Sequence, residues 1–261
     1  MIDATFDLLQ SWLLAPLSGR AEHSLAPALA WHARSMVLAW GVLLPLGALI
    51  ARYYKVTPSQ RWPAQLDNTA WWHAHRTLQY SGAALMLVGV ALAWGGSVGA
   101  TAVARAHAIS GWALFALGCL QIAMSWLRGS KGGPTAAQLR GDHYDMTRWR
   151  QIFERSHKGL GWFCVLLMLA VIALGLMAAD APRWMPVVLS IWWLLLAAWA
   201  AHLQCQGRCI DTYQAIWGPA LEHPGNRVAP IGWGVRRPPL PPPALAFRAP
   251  GTIHGISHDR S

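Results

Sequence analysis

Charge is what this sequence has least of. Asp, Glu, Lys and Arg make up 12% of its 261 residues, about half of the roughly 25% found in soluble domains. With 54% hydrophobic residues and a positive mean hydropathy, that shortage argues against a soluble core and for a membrane protein. Cysteine is scarce too, with four in the chain. Cys119 and Cys164 fall in mid-span, where a thiol acts as a small hydrophobe, while Cys205 and Cys209 form a bare C-x3-C without the further ligands that zinc needs. The opening "MIDATFD" has no basic leader, so no cleaved signal peptide is expected.

What is abundant is long apolar sequence. Runs of the length a bilayer demands, about 17–25 residues, cover Ala30–Ile50, Trp71–Trp94, Val103–Leu127, Leu160–Ala179 and Met185–Ala201. The expected architecture is an all-α integral membrane protein with five transmembrane helices, four of them an up-down bundle. The stretch "TFDLLQSWLLAPL" at 5–17 is too short to cross and reads as an interfacial helix closed by Pro16 and Gly19. Three segments follow: an N-terminal interfacial segment at 1–27, a transmembrane domain at 28–203, and a Pro-rich tail at 204–261. The "RRPPLPPP" of that tail should be extended polyproline II, ordered only where it packs against the bundle.

Folding the chain back and forth across a membrane sorts its cations. The side holding the N-terminus, side X, collects Arg20, Arg34, Arg105 and Arg183 against Asp3, Asp7, Glu22 and Asp180 and is neutral. Side Y then carries the whole net charge of +10, and the positive-inside rule makes it cytoplasmic. The expected placement is a multi-pass inner membrane protein, N-terminus outside and C-terminus inside. The basic pI thus reports topology, and no nucleic-acid partner is expected.

Histidine carries the functional signal. His32, His75, His107 and His157 each stand near the entrance of one of four successive helices. Because successive helices run in opposite directions, His32 and His107 share the outer half and His75 and His157 the inner half. In a bundle connected in order these are diagonal pairs, facing each other across the interior where bundles house cofactors. Paired imidazoles across an apolar space are what a b-type haem requires, and intramembrane ionisable groups are costly unless they function. Two b-type haems are expected, with His32/His107 and His75/His157 as axial ligands.

Each histidine has a cation within two positions, Arg34, Arg76, Arg105 and Lys158, suited to haem propionates or simply to snorkelling at the interface. Glycine recurs four residues on, in "HAISGW" and "HKGLGW". Gly111 and Gly161, with Gly82 seven after His75, would let a ring plane approach the backbone or let helices touch. His73 points away from His75 on a helix and reads as an interface residue. In the 128–155 loop, "RGDHYDMTRWR" offers Asp142, His143 and Asp145 as metal ligands, but a loop capped onto the next helix is the preferred reading. Its arginines, with Lys158 and Arg76, would attract an acidic donor, a quinol headgroup or anionic lipid.

The segments "WHARSMVLAWGVLLPLGALIARYYK", "HRTLQYSG", "HAISGWALFALGCLQ" and "RSHKGLGW" resemble the haem-bearing helices of the cytochrome b561 and ferric reductase transmembrane family, especially the form fused to DOMON domains. The resemblance covers roughly residues 28–203 and implies the same ligand pairs, on His32 with His107 and His75 with His157. It also implies transmembrane electron transfer, which that family runs from cytoplasmic ascorbate to an outer acceptor such as monodehydroascorbate or ferric iron; the substrate identity is not carried over to this chain. The chain departs from the free-standing animal and plant forms in having five spans where they have six, no DOMON domain, an added loop and a Pro-rich tail, in a bacterial-looking style. A separate prokaryotic lineage places two ligands on its fourth helix, where this chain offers only His157.

The reading is therefore a di-haem b-type cytochrome passing single electrons between a cytoplasmic or membrane donor (quinol, ascorbate-like or protein) and an outer-face acceptor (ferric iron or a periplasmic redox protein). Such a protein would be a transmembrane oxidoreductase of the ferric or monodehydroascorbate reductase kind, held in the lipid bilayer and compatible with a homodimer. Two rivals remain. One is a non-redox metal permease or assembly anchor, which would favour polar residues deep in the spans, where only Gln79, Gln121 and Ser125 stand. The other is a relay subunit docking a dehydrogenase or c-type cytochrome.

Overall fold

The computed structural model describes residues 2–19, 25–96, 99 and 101–238. Among them every regular element is helical, and the only extended pairings are two isolated bridges. The arrangement follows from where the chain can and cannot keep its backbone hydrogen bonds in an apolar setting.

A short exposed helix, α1 (Ile2–Leu14), comes first. The next helix starts on Pro27, whose missing N–H costs nothing in a first turn, and continues as α2 (Pro27–Met36), a π-helical segment (Val37–Leu43) and α3 (Leu44–Tyr53). Pro45 cannot donate to the carbonyl of Gly41 four residues back. That carbonyl instead accepts the indole N–H groups of Trp192 and Trp193, at 3.0 and 3.1 Å. A local break in the ladder thus ties this helix to a distant one.

Three further long helices follow: α4 (Ala70–Ala93), α5 (Ala102–Trp126), capped by Thr101, and, after the single turn α6 (Asp142–Asp145), α7 (Arg148–Ala178), capped by Thr147. The indoles on Gly41 belong to α8 (Trp184–Cys205). Among the described residues, four helices are long and apolar enough to cross a membrane: Pro27–Tyr53, Ala102–Trp126, Arg148–Ala178 and Trp184–Cys205. The fifth expected span lies on α4, a helix of 24 residues, but its opening turns carry His73, His75, Arg76 and Gln79, and α4 falls outside that apolar set.

At the centre, Ala39, Trp40, Met86, Leu114, Cys164, Met168, Val171 and Ile172 form a buried core drawn from the π-helical segment, α4, α5 and α7. Gly118 makes this possible. A Cβ there would stand 3.0 Å from Trp40 and 3.2 Å from the Met86 sulfur, so only glycine leaves room for the indole.

The connections gather into two groups at opposite ends. At the X end, Leu17 N–H bonds Ala181 O and Arg183 N–H bonds Ala15 O. At the Y end, Lys131 pairs with Asp67 at 2.7 Å, Trp62 donates to Gln214 O, and Arg208 to Val56 O. The Y end is closed by a folded cap in which α9 (Thr212–Trp217) and a 3-10 turn (Pro224–Arg227) surround buried Met146, Tyr213, Trp217 and Ile231. The tail from 206 to 238 is therefore packed structure, and most of the polyproline stretch lies outside the described residues, as do Arg20 and Glu22.

Candidate haem site

His32 and His107 come together near the X end, their ring centroids 6.3 Å apart and their planes nearly perpendicular. Each ring is oriented by a carbonyl of another helix: His32 Nδ1 lies 2.7 Å from Gly89 O and His107 Nδ1 3.0 Å from Val171 O. A carbonyl only accepts, so Nδ1 carries the proton in both and Nε2 keeps a free lone pair. This is the arrangement of metal-ligating imidazoles, whose second nitrogen donates to a fixed acceptor.

At the Y end, His75 repeats the pattern, its Nδ1 2.9 Å from Gly47 O. His73 is exposed, and the two side chains point different ways. Gln79, one turn on from His75, donates to Leu44 O at 3.0 Å, close against Gly47. His157 stands within electrostatic reach of His75. Its ring stacks on Phe153 at 5.3 Å, and its buried Nδ1 has no hydrogen-bond partner. Gln121 holds the backbone there by donating to His157 O.

The neighbouring cations are placed less uniformly. Arg34 lies over Trp31, and Arg76 over Trp72 and Tyr80. Lys158 donates to Glu154 at 2.6 Å and to Ile231 O. Arg105 sits two residues before His107 on the exposed face of α5. Of the expected glycines, Gly82 makes room for Leu44, a Cβ there meeting that side chain at 2.8 Å; Gly161 faces Gln121, and Gly111 has only Val171 within reach. The glycine that does face an imidazole is Gly175 on α7, where a Cβ would lie 2.8 Å from His107 Cε1. Sequence spacing could not reveal it, because the contact joins two helices whose relative rotation no periodicity encodes.

Behind His157 lies a buried ionic cluster. Glu154 pairs with Arg150 at 3.1 Å and Lys158 at 2.6 Å, with His143 Nε2 3.9 Å away. The loop residues once weighed as metal ligands are spent on structure. Asp142 accepts from Ser130 and Thr147, which holds its carboxyl below the usual range, and Asp145 pairs with Arg140. Among the described residues no three His, Cys, Asp or Glu side chains come together. Cys205 is exposed, Cys209 buried, and both are free.

Burial, and then the charge of Arg150, push the His143 imidazole down to about 3. The unfolded chain takes up a proton near 6.5, so the contribution of this group to cap stability is full above about 6.5 and is lost as pH falls toward 3. Chemical denaturation followed by cap tryptophan fluorescence should show lower stability at pH 5 than at pH 7.5. His143→Phe should abolish the difference; a difference that persists would assign it to another group.

Comparison with known proteins yields one informative likeness. The chain is 27% identical over 197 residues, 73% of its length, to a cytochrome b561, DM13 and DOMON domain-containing protein of Arabidopsis thaliana. It spans about a fifth of that relative, 20% of its length. No family profile matches the chain, and no solved structure matches it. The likeness supports the cytochrome b561 family.

Proposed function

Starting from that likeness, we propose that the chain is a di-haem b-type cytochrome that carries single electrons across a membrane. The observation that carries the reading is the 6.3 Å between the His32 and His107 rings. Metal–imidazole bonds of about 2.0 Å on both sides, plus about 1.1 Å from each nitrogen to its ring centre, would sum to about 6.2 Å, close to that separation. The residues present therefore fit the group. His32 and His107 would hold one haem, and His75 and His157 the other. When bound, a b-type haem would supply reversible one-electron chemistry.

The chain's own residues do the rest. Gly89, Val171 and Gly47 carbonyls fix the tautomers, and the apolar core between the two pairs excludes water. Arg34 and Arg105 near the X mouth, and Arg76 and Lys158 near the Y mouth, are the cations to which propionates would turn. Gly82, Gly111 and Gly161 let the helices close around the pairs. With α4 counted, the chain crosses five times, N-terminus outside and cytoplasmic cap inside, as its charge asymmetry supports. Electrons pass between a donor on the cap side, quinol, ascorbate-like or protein, and an outer acceptor such as ferric iron or a periplasmic redox protein.

The test is a reduced-minus-oxidised spectrum with a pyridine haemochrome count on detergent-purified protein. Two b-type haems per chain are expected; a colourless protein from haem-replete cells would overturn the reading. Gly175→Val should drive a side chain into His107 and remove or perturb the outer haem alone. Two unperturbed haems in that variant would show that His107 does not need its present position.

A further inference from the structure

Lys55 lies just past α3, 6% exposed, and belongs to neither histidine pair. Its ammonium donates to two carbonyls, Arg52 O at 3.2 Å and Ile210 O at 3.1 Å, and among the described residues no carboxylate comes within ion-pair distance. The acids around it are already committed. Glu154 neutralises Arg150 and Lys158, and Asp211 is held by Arg237 at 2.7 Å. His143 stays neutral, its proton affinity lowered by burial. The cluster thus contains four cations, Lys55, Arg150, Lys158 and Arg237, against two carboxylates, Glu154 and Asp211.

This largely buried surplus of positive charge lies on the side of the bundle where His75 and His157 stand: Lys158 follows His157 on α7, and Lys55 follows α3, the helix whose Gly47 carbonyl holds His75. The groups facing Lys55 are Lys158 and Glu154 on α7 and Cys209 and Asp211 in the C-terminal segment. Burial, and then Lys158, bring its proton affinity down to about 8, so it remains charged at neutral pH. In a poorly screened interior a fixed cation favours whichever nearby state is more negative, and a reduced centre is more negative by one electron.

We infer that Lys55 is a positioning residue for electrons: its buried, carboxylate-free ammonium raises the reduction potential of the inner haem relative to the outer one. The inference rests on the two-haem reading. It also gives the folded tail a task, since Ile210 O from that segment helps hold the ammonium in place.

The experiment is an optical redox titration of the purified full-length protein, resolving both haems. In Lys55→Met the inner midpoint should shift down while the outer stays put, and Lys55→Arg should restore it. Asp211→Asn, which removes a negative charge from the same cluster, should shift the inner midpoint up. If Lys55→Met fails to fold, Lys55→Gln, which keeps a donor for the Arg52 and Ile210 carbonyls and removes only the charge, takes its place and should lower the inner midpoint alone. An inner midpoint unmoved in protein that keeps both haems, or equal movement of both midpoints, would overturn the inference. A preparation with no haem would instead overturn the cytochrome reading, so the two failures are distinct.

Discussion

His75→Ala and His157→Ala will each purify with one haem per chain in place of two, and so will the double variant. His32→Ala combined with His107→Ala should likewise leave one haem, whereas His32→Ala combined with His75→Ala should leave none. This pattern is what the proposed pairing predicts: His32 and His107 share a centroid separation of 6.3 Å at one end, and His75 and His157 stand toward the other. An alanine removes the lone pair and leaves the orienting carbonyl, Gly47 O for His75 or Gly89 O for His32, without its donor. Haem counted by pyridine haemochrome, with the remaining spectrum assigned by the partner variants, checks the pattern. One haem surviving in His32→Ala/His75→Ala would mean that the ligands are paired otherwise.

Glu154→Ala will destabilise the cap by about 3–5 kcal/mol, the usual consequence of removing one partner from a buried ion pair. The carboxylate side chain is only 5% exposed, and Arg150 beside it 10%. Without Glu154, the guanidinium keeps a bond to Arg128 O and stacking over Phe153, but no counter-ion. Because Phe153 in turn stacks on His157, the loss should propagate to the inner pair. Denaturant titration with cap tryptophan fluorescence measures the first effect, and broadening of the inner-haem spectrum the second. A cost below about 1 kcal/mol would show that Arg150 and Lys158 find other partners or water, as exposed pairs do.

The histidines were legible in the sequence because their signal is local: an ionisable group at the mouth of an apolar run is unusual wherever it occurs. Long helices were legible for the same reason, although the polar opening of α4 places it outside the apolar set. Composition says little of how the tail packs: residues 206–238 fold around Tyr213, Trp217 and Ile231, of which only the first two share a helical spacing, on α9, and most of the polyproline stretch lies outside the described residues. Glycine spacing reads only one helix at a time. Gly82, Gly111 and Gly161 stand at regular intervals from histidines on their own helices, whereas Gly175, Gly47 and Gly89 meet imidazoles on other helices.

By itself, the sequence determined that this chain is helical and apolar, with a charge asymmetry along its length and a histidine at four helix mouths, since each of these depends on residue type and near neighbours. Only the tertiary structure decided which carbonyl orients which imidazole, which glycine yields space to a ring, and that Lys55 sits buried beside carboxylates already taken. Those are contacts between helices, set by their mutual rotation and depth, and rotation is fixed by packing many side chains at once.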